Sequence, residues 1–318
     1  MKGKLHYILT LSLAVLSGAA QNETKKDTSY WQKSGFFGLN ASQTQLSNWQ
    51  GGGQNNVAIN SIFNLQVQYK KDKQEWLNKL DAQYGVIKIG LGKGGSFQKN
   101  IDQLFALSKY NINAFSKYWY YVAQIDYRTQ FAPGYAYDNG KPVGKAVSDY
   151  NSPGYIQLAL GLDYKPANYF SATMAPLAGK ITVVNRQYLA DDGAFGVEEA
   201  VKDTAGAIIT HGKKVRTEFG GRLVLKFKKD IVKNVNLDSY LDLFSNYLVK
   251  PQNIDVVFNN LVTIKITKYF TTNIIVNMIY DDDITVKRYS DLYKTDDNIN
   301  GPRLQVISTV AVGFGYKF

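Results

Sequence analysis

Two histidines occur in the 318 residues, His6 and His211. Only His211 sits in the body of the chain, beside Gly212 and Lys213 and close in sequence to Asp191, Asp192 and Asp203. A histidine held by an acid is the minimum for general-base or proteolytic chemistry near neutral pH. A solvated loop histidine is the other reading of the same residue. The sequence carries no HExxH, no histidine cluster and no cysteine, so thiolate and metal chemistry lack ligands. No catalytic residue, metal ligand or cofactor is assigned, and the expectation is a protein without enzymatic activity.

A second set of residues is ionic. Asp126 and Arg128 share one face of a strand, and Arg216, Glu218 and Arg222 share a face of another. Asp238, Asp242, Asp255, Asp281 and Arg303 continue the series toward the end of the chain. Charges turned into a narrow water-filled pore impose electrostatic selectivity. Charges of both signs can equally pair across a small interior and fill it. The sequence leaves both outcomes open.

The elements that must position these groups are strands. From Val57 to Tyr69, the residues Val57, Ile59, Phe63, Leu65, Val67 and Tyr69 alternate with Asn56, Asn60, Asn64, Gln66 and Gln68, an apolar face against an amide face. The pattern recurs with Phe219, Leu223, Leu225 and Phe227 against Glu218, Arg222, Lys226 and Lys228. It continues with Leu237, Leu241 and Leu243 against Asp238 and Asp242, and closes on Leu304 to Phe318. Counted from a first strand near Gly35 to Leu46, the alternation gives about twelve strands. Pro176 interrupts one of them, near 169–183, and requires an irregularity because proline cannot donate to the ladder. Short connections (near 70–73, 115–117, 165–168, 229–233 and 268–271) alternate with long ones (near 89–102, 131–153, 184–213 and 284–301). The expected fold class is all-β, a transmembrane antiparallel outer-membrane β-barrel with short turns and both termini on the periplasmic side. A soluble β-sandwich explains the alternation but not the loop asymmetry.

Residues 1–20 read as an export leader: Lys2, Lys4 and His6 precede an apolar core from Ile8 to Leu16, followed by Ser17, Gly18, Ala19 and Ala20. That core is too short to span a bilayer as a helix. A short periplasmic segment, 21–33, and a single barrel, 34–318, complete the expected organisation.

The first inter-strand connection holds a glycine-rich motif in which Asn48, Trp49, Gly51, Gly52 and Gly53 stand together. Adjacent glycines permit close backbone approach, and Trp49 offers a large face to bury, so the segment is a candidate barrel-mouth rim or a tight structural loop. It lacks the spacing of a phosphate-binding loop. With Leu46, Ser47, Asn55 and Asn56, and with Trp76, Asn78, Leu80, Asp81, Tyr84 and Gly85 downstream, the chain resembles an uncharacterised family of outer-membrane β-barrel proteins from the Bacteroidota. The resemblance implies a membrane class and no catalytic or substrate-binding role.

Composition agrees with a barrel: 23 Tyr, 16 Phe and 27 Gly against 7 Pro. The formal charge of +11 suits attraction to outer-membrane lipid and lipopolysaccharide. No contiguous basic-aromatic module argues for nucleic acid. Two functions are expected from these features: a small channel or passive transporter for polar solutes, or a non-enzymatic scaffold or accessory subunit with an envelope protein partner.

Overall fold

The computed structural model describes residues 29–44, 56–90, 97–138, 141–267, 269–284 and 301–317. The Asn48–Gly53 motif, the leader and Phe318 lie outside the described residues. The described chain is almost entirely β-sheet. Its first strands are β1 (Trp31–Thr44), β2 (Asn56–Lys71), β3 (Gln74–Ile89), β4 (Gln98–Asn113) and β5 (Trp119–Thr129). A small hairpin, β6 (Gly134–Asp138) and β7 (Lys141–Ser148), precedes β8 (Gly154–Ala167) and β9 (Phe170–Val183). A one-turn helix α1 (Gln187–Asp191), a 3-10 turn at Ala194–Gly196 and a second hairpin, β10 (Val201–Lys202) and β11 (Ile208–Thr210), come next. The chain ends with β12 (Val215–Val232), β13 (Val235–Asn246), β14 (Ile254–Lys265), β15 (Phe270–Tyr280) and β16 (Gln305–Lys317).

Twelve of these strands form one ring-like antiparallel sheet in which each pairs with its neighbours and β1 pairs with β16. The two small hairpins stand outside it, within the connections after β5 and β9. β1 starts three residues before the expected barrel boundary at 34. One end of the ring carries the close turns after β2, β4, β8, β12 and β14, together with the start of β1 and the end of β16. The other end carries the long connections.

Alternation explains which residues turn inward. Along β12 the buried positions are Glu218, Gly220, Arg222 and Val224, while Val215 and Phe219 on the opposite face are exposed. Leu39, Ile59, Leu158, Leu160, Leu177 and Val310 likewise leave large apolar side chains on the outer surface. Strands with a polar inner face and an apolar outer face are the reverse of a water-soluble β-protein, where apolar side chains seek the core.

Outward aromatics gather at the close-turn end. Trp31 lies 5.1 Å from Tyr69 and 5.9 Å from Trp76, centroid to centroid. Trp119 packs on Tyr164 at 4.8 Å, and Tyr269 on Phe314 at 5.7 Å. The Lys71 and Lys229 ammonium groups cap the Tyr30 and Tyr169 rings at the same end. Rings backed by cations in this way suit a boundary between hydrocarbon and water.

Pro176 sits at an irregularity on both sides of β9. The register skips between Leu160 and Leu162 of β8, and again between Gly220 and Arg222 of β12. The bulge frees the position from donating a ladder hydrogen bond, which is the condition proline imposes. Gly161 faces this bulge so closely that a Cβ there would lie 2.1 Å from the Met174 carbonyl oxygen.

Candidate functional site: a half-filled lumen

The inner face of β4, β5, β8, β9, β12 and β13 is buried by its own ionic side chains. Arg222 on β12 is the centre of one group. Its Nη1 donates to Asp126 Oδ1 on β5 at 2.6 Å, its Nε to Asp242 Oδ1 at 2.8 Å and its Nη2 to Asp242 Oδ2 at 2.7 Å. Tyr240 donates its hydroxyl to Asp242 at 2.9 Å, and Gln124 Nε2 donates to Asp126 at 2.9 Å. The guanidinium is 1% exposed. No water reaches it, and both carboxylates are consumed by it.

Lys180 on β9 centres a second group nearer the long-loop end. Its ammonium lies 2.6 Å from Asp255, 2.9 Å from Asp281 and 3.7 Å from Glu218, over the Phe244 ring. Toward the close turns, Lys109 on β4 pairs with Asp163 on β8 at 2.8 Å and donates to Thr173 Oγ1 at 2.7 Å. Thr173 in turn donates to the other Asp163 oxygen. Lys165 bonds to Glu75 below. Val224, Phe244, Leu107 and Val122 fill the space between these groups.

Buried ion pairs of this kind rarely stabilise more than apolar packing, because desolvation offsets most of the attraction. Their effect here is on register. A one-residue slip of β12 would carry Arg222 and Glu218 from the interior to the apolar outer face, so the pairs discriminate strongly against it.

The rest of the ring is different. On β14, β15, β1, β2 and β3 the inward positions are chiefly amides and small polar groups, including Asn60, Asn64, Gln66, Gln68, Thr263 and Asn277, and these are partly exposed. Asn64 donates to Asp81 at 2.8 Å and Thr263 to Asn273 at 3.0 Å. The lumen is therefore filled along one side and lined by accessible amides along the other.

The ionic residues expected from the sequence distribute as follows. Asp126, Arg222 and Asp242 meet in one group; Glu218, Asp255 and Asp281 meet around Lys180. Arg216 stands at the long-loop mouth, 3.0 Å from Glu218, bonded to Asp283 and donating to the Gly196 carbonyl at 3.1 Å. Arg128 does not join Asp126: its guanidinium lies over the Phe105 ring, 5.6 Å from the centroid. Asp238 pairs with Lys228 at 2.6 Å at the exposed close-turn end. Arg303 precedes β16 and is exposed. Lys109, Asp163, Lys180, Glu75 and Lys165 were not singled out from the sequence. The signal was available, because the same alternation that turns Asp126 inward turns Lys109 and Asp163 inward through the registered pairs Lys109 to Gln124 and Tyr120 to Asp163.

Above the mouth, the connection after β9 folds on its own small core of Val184, Leu189, Ala190 and Val197, flanked by Tyr188 and Phe195. Asp191 binds it to β11's far side: it accepts from Gln187 Nε2 at 2.9 Å and from the Gly212 amide at 2.8 Å, with His211 Nδ1 at 3.1 Å. Those contacts, Gln187 foremost, hold the Asp191 carboxyl below the usual carboxylate range. His211 does meet an acid, as its position suggested, but that acid is occupied with fastening backbone. Asp203 instead closes the β10–β11 turn by accepting from the Ala205 and Ala207 amides. Among the described residues there is no cluster of three or more histidine or acidic side chains able to hold a metal.

Residues 41–135 match the family model described as "Protein of unknown function (DUF3078)". That span is less than a third of the chain. No curated protein matches. Among solved structures, the COG4313 outer membrane channel from Pseudomonas putida F1 is similar at 10% identity, covering 90% of this chain and 95% of that one, with a TM-score of 0.40. The translocator domain of the autotransporter NalP from Neisseria meningitidis is similar at 10% identity, with 90% and 87% covered and a TM-score of 0.35. OmpF of Salmonella typhi in complex with daunomycin gives 8% identity, 91% and 97% covered, and a TM-score of 0.28. The functional reading rests on the chain's own residues.

Proposed function

We propose that the chain is a closed twelve-stranded outer-membrane β-barrel acting as a passive channel for small polar solutes, without enzymatic activity. The close turns and both ends of the sheet face the periplasm, and the long connections face outward. The exposed apolar outer face and the aromatic ring at the close-turn end support membrane insertion, since both match the requirements of a lipid-facing strand surface.

The observation that carries the channel reading is the half-filled lumen. Ion pairs close the β4–β13 side, whereas the accessible amides of β14 through β3 offer hydrogen bonds to a solute along its whole path. Neutral amides bind polar solutes weakly enough to release them, as conduction requires. The purified protein, folded into a planar bilayer, is expected to give discrete current steps in symmetric potassium chloride. A silent bilayer, with insertion verified by heat-shifted gel migration, would overturn the proposal. It would favour the second reading, a scaffold whose self-packed external loops bind lipopolysaccharide or an envelope protein. The small core around Leu189 and the exposed Ile208 and Ile209 of the β10–β11 hairpin favour that reading, because they present a folded surface beyond the barrel.

A further inference from the structure

Every buried cation in the filled side of the lumen has a carboxylate partner, and two inward lysines do not. Lys226 of β12 is registered against Tyr240 and Ser171, all on the inner face. Lys79 of β3 is registered against Gln66 and Leu107. In the ring order, β3 and β12 are five places apart, close to opposite each other in a ring of twelve. Their ammonium groups nonetheless come within electrostatic reach of one another across the lumen. Among the described residues neither forms an ion pair; Lys226 rests over the Tyr240 ring, 5.5 Å from its centroid.

The acids nearby do not neutralise them. Asp163 and Asp126 feel Lys226, but Asp163 is held at 2.8 Å by Lys109 and Asp126 at 2.6 Å by Arg222. Asp81, two positions from Lys79 on the same face, accepts from Asn64. Lys109 adds a further positive charge beside Lys226. Two like charges held face to face with no counter-ion raise each other's energy, and an anion between them removes that cost.

We propose that Lys79 and Lys226 form an anion-binding constriction in the lumen, taking small inorganic anions such as chloride or phosphate. This rests on the channel reading and assigns its selectivity. The remaining coordination comes from neighbours in register: Gln66 beside Lys79, and Tyr240 and Asn259 beside Lys226, with Asn277 continuing the row onto the amide-lined side. Amide N–H and phenolic O–H groups donate to an anion's lone pairs, while the ammonium groups supply charge. An anion entering along the amides thus meets two ammonium groups at one level before leaving. Arg216 and Arg222, which the sequence suggested for this task, are already saturated by carboxylates.

The test is the reversal potential in planar bilayers under a potassium chloride gradient, for the wild type, Lys79→Gln, Lys226→Gln and the double variant. The wild type is expected to prefer chloride over potassium, with the double variant's preference falling by about threefold or more. Added inorganic phosphate is expected to reduce wild-type chloride current and to do so less in the double variant. Wild-type current with a reversal potential unmoved by both substitutions would overturn the constriction while leaving the channel intact. No current from inserted wild-type protein would overturn both. Neutralising two repelling lysines removes no partner; should the double variant still fail to fold, an unmoved reversal potential in both single variants counts equally against the proposal.

Discussion

Arg222 and Asp126 lie 2.6 Å apart although 96 residues and three strand positions separate them around the ring. Such a contact forms only when β5, β8, β9 and β12 hold their correct stagger. Removing Arg222 strands Asp126 and Asp242 without a counter-charge in a space where neither is more than 3% exposed. Arg222→Met is therefore expected to cost about 3–5 kcal/mol, the usual penalty for breaking one side of a buried ionic group. Urea unfolding in lipid vesicles measures it. Replacing all three residues with apolar side chains of similar volume is expected to recover most of that loss, and failure of the triple variant to recover would assign the group a role beyond charge compensation.

The outer surface gives a complementary prediction. Leu160 lies near the middle of β8, faces outward and is 54% exposed. If hydrocarbon surrounds it, Leu160→Lys costs about 2–4 kcal/mol of stability in vesicles. In a water-exposed strand the same change would be nearly neutral. Insertion with unchanged stability would place this face in water and remove the membrane assignment.

Legibility in the sequence followed periodicity. The β12 alternation is strong enough to read without coordinates, because each inward position carries a charge, a glycine or a small residue, and the outward ones are large and apolar. Burial shows the same faces. Partners across the lumen were not legible: nothing in strand alternation says that Lys180 will meet Asp255 and Asp281, since that depends on ring closure and stagger. Arg128 shows the same limit, sharing Asp126's face yet turning to Phe105. Val224 and Phe244 escaped notice for another reason. An apolar residue on an inward position contradicts a polar-lumen pattern, and only a filled interior explains it.

The bulge at Pro176 makes two substitutions diverge. Pro176 is exposed on the outer face, at a position where the ladder is already interrupted. Pro176→Ala is expected to change stability by about 0.5 kcal/mol or less. Gly161→Ala, on the opposing strand, places a methyl against the Met174 carbonyl and the Ala175 backbone. Backbone cannot yield as a side chain does, so a loss of about 1–3 kcal/mol is expected. Parallel urea titrations of the two variants check the contrast, and equal losses would refute the bulge as the origin of both.

Acid should loosen the external segment that Asp191 fastens. Hydrogen bonds from Gln187, then the Gly212 amide and His211, favour the ionised carboxylate and keep its pKa below that of an unfolded aspartate. A group lowered in this way contributes its full stabilisation above the unfolded value and loses it as pH falls through the folded one. Limited proteolysis of residues 184–214 in the membrane-inserted protein is thus expected to stay slow at neutral pH and accelerate on acidification below the ordinary carboxylate range. Asp191→Asn should be cleaved faster at neutral pH and show a weaker acceleration. His211→Ala should keep most of the acid response, because Gln187 and Gly212 still hold the carboxylate. A wild-type cleavage rate that does not change with acid, under a protease whose own activity is corrected for pH, would show that Asp191 does not control this segment.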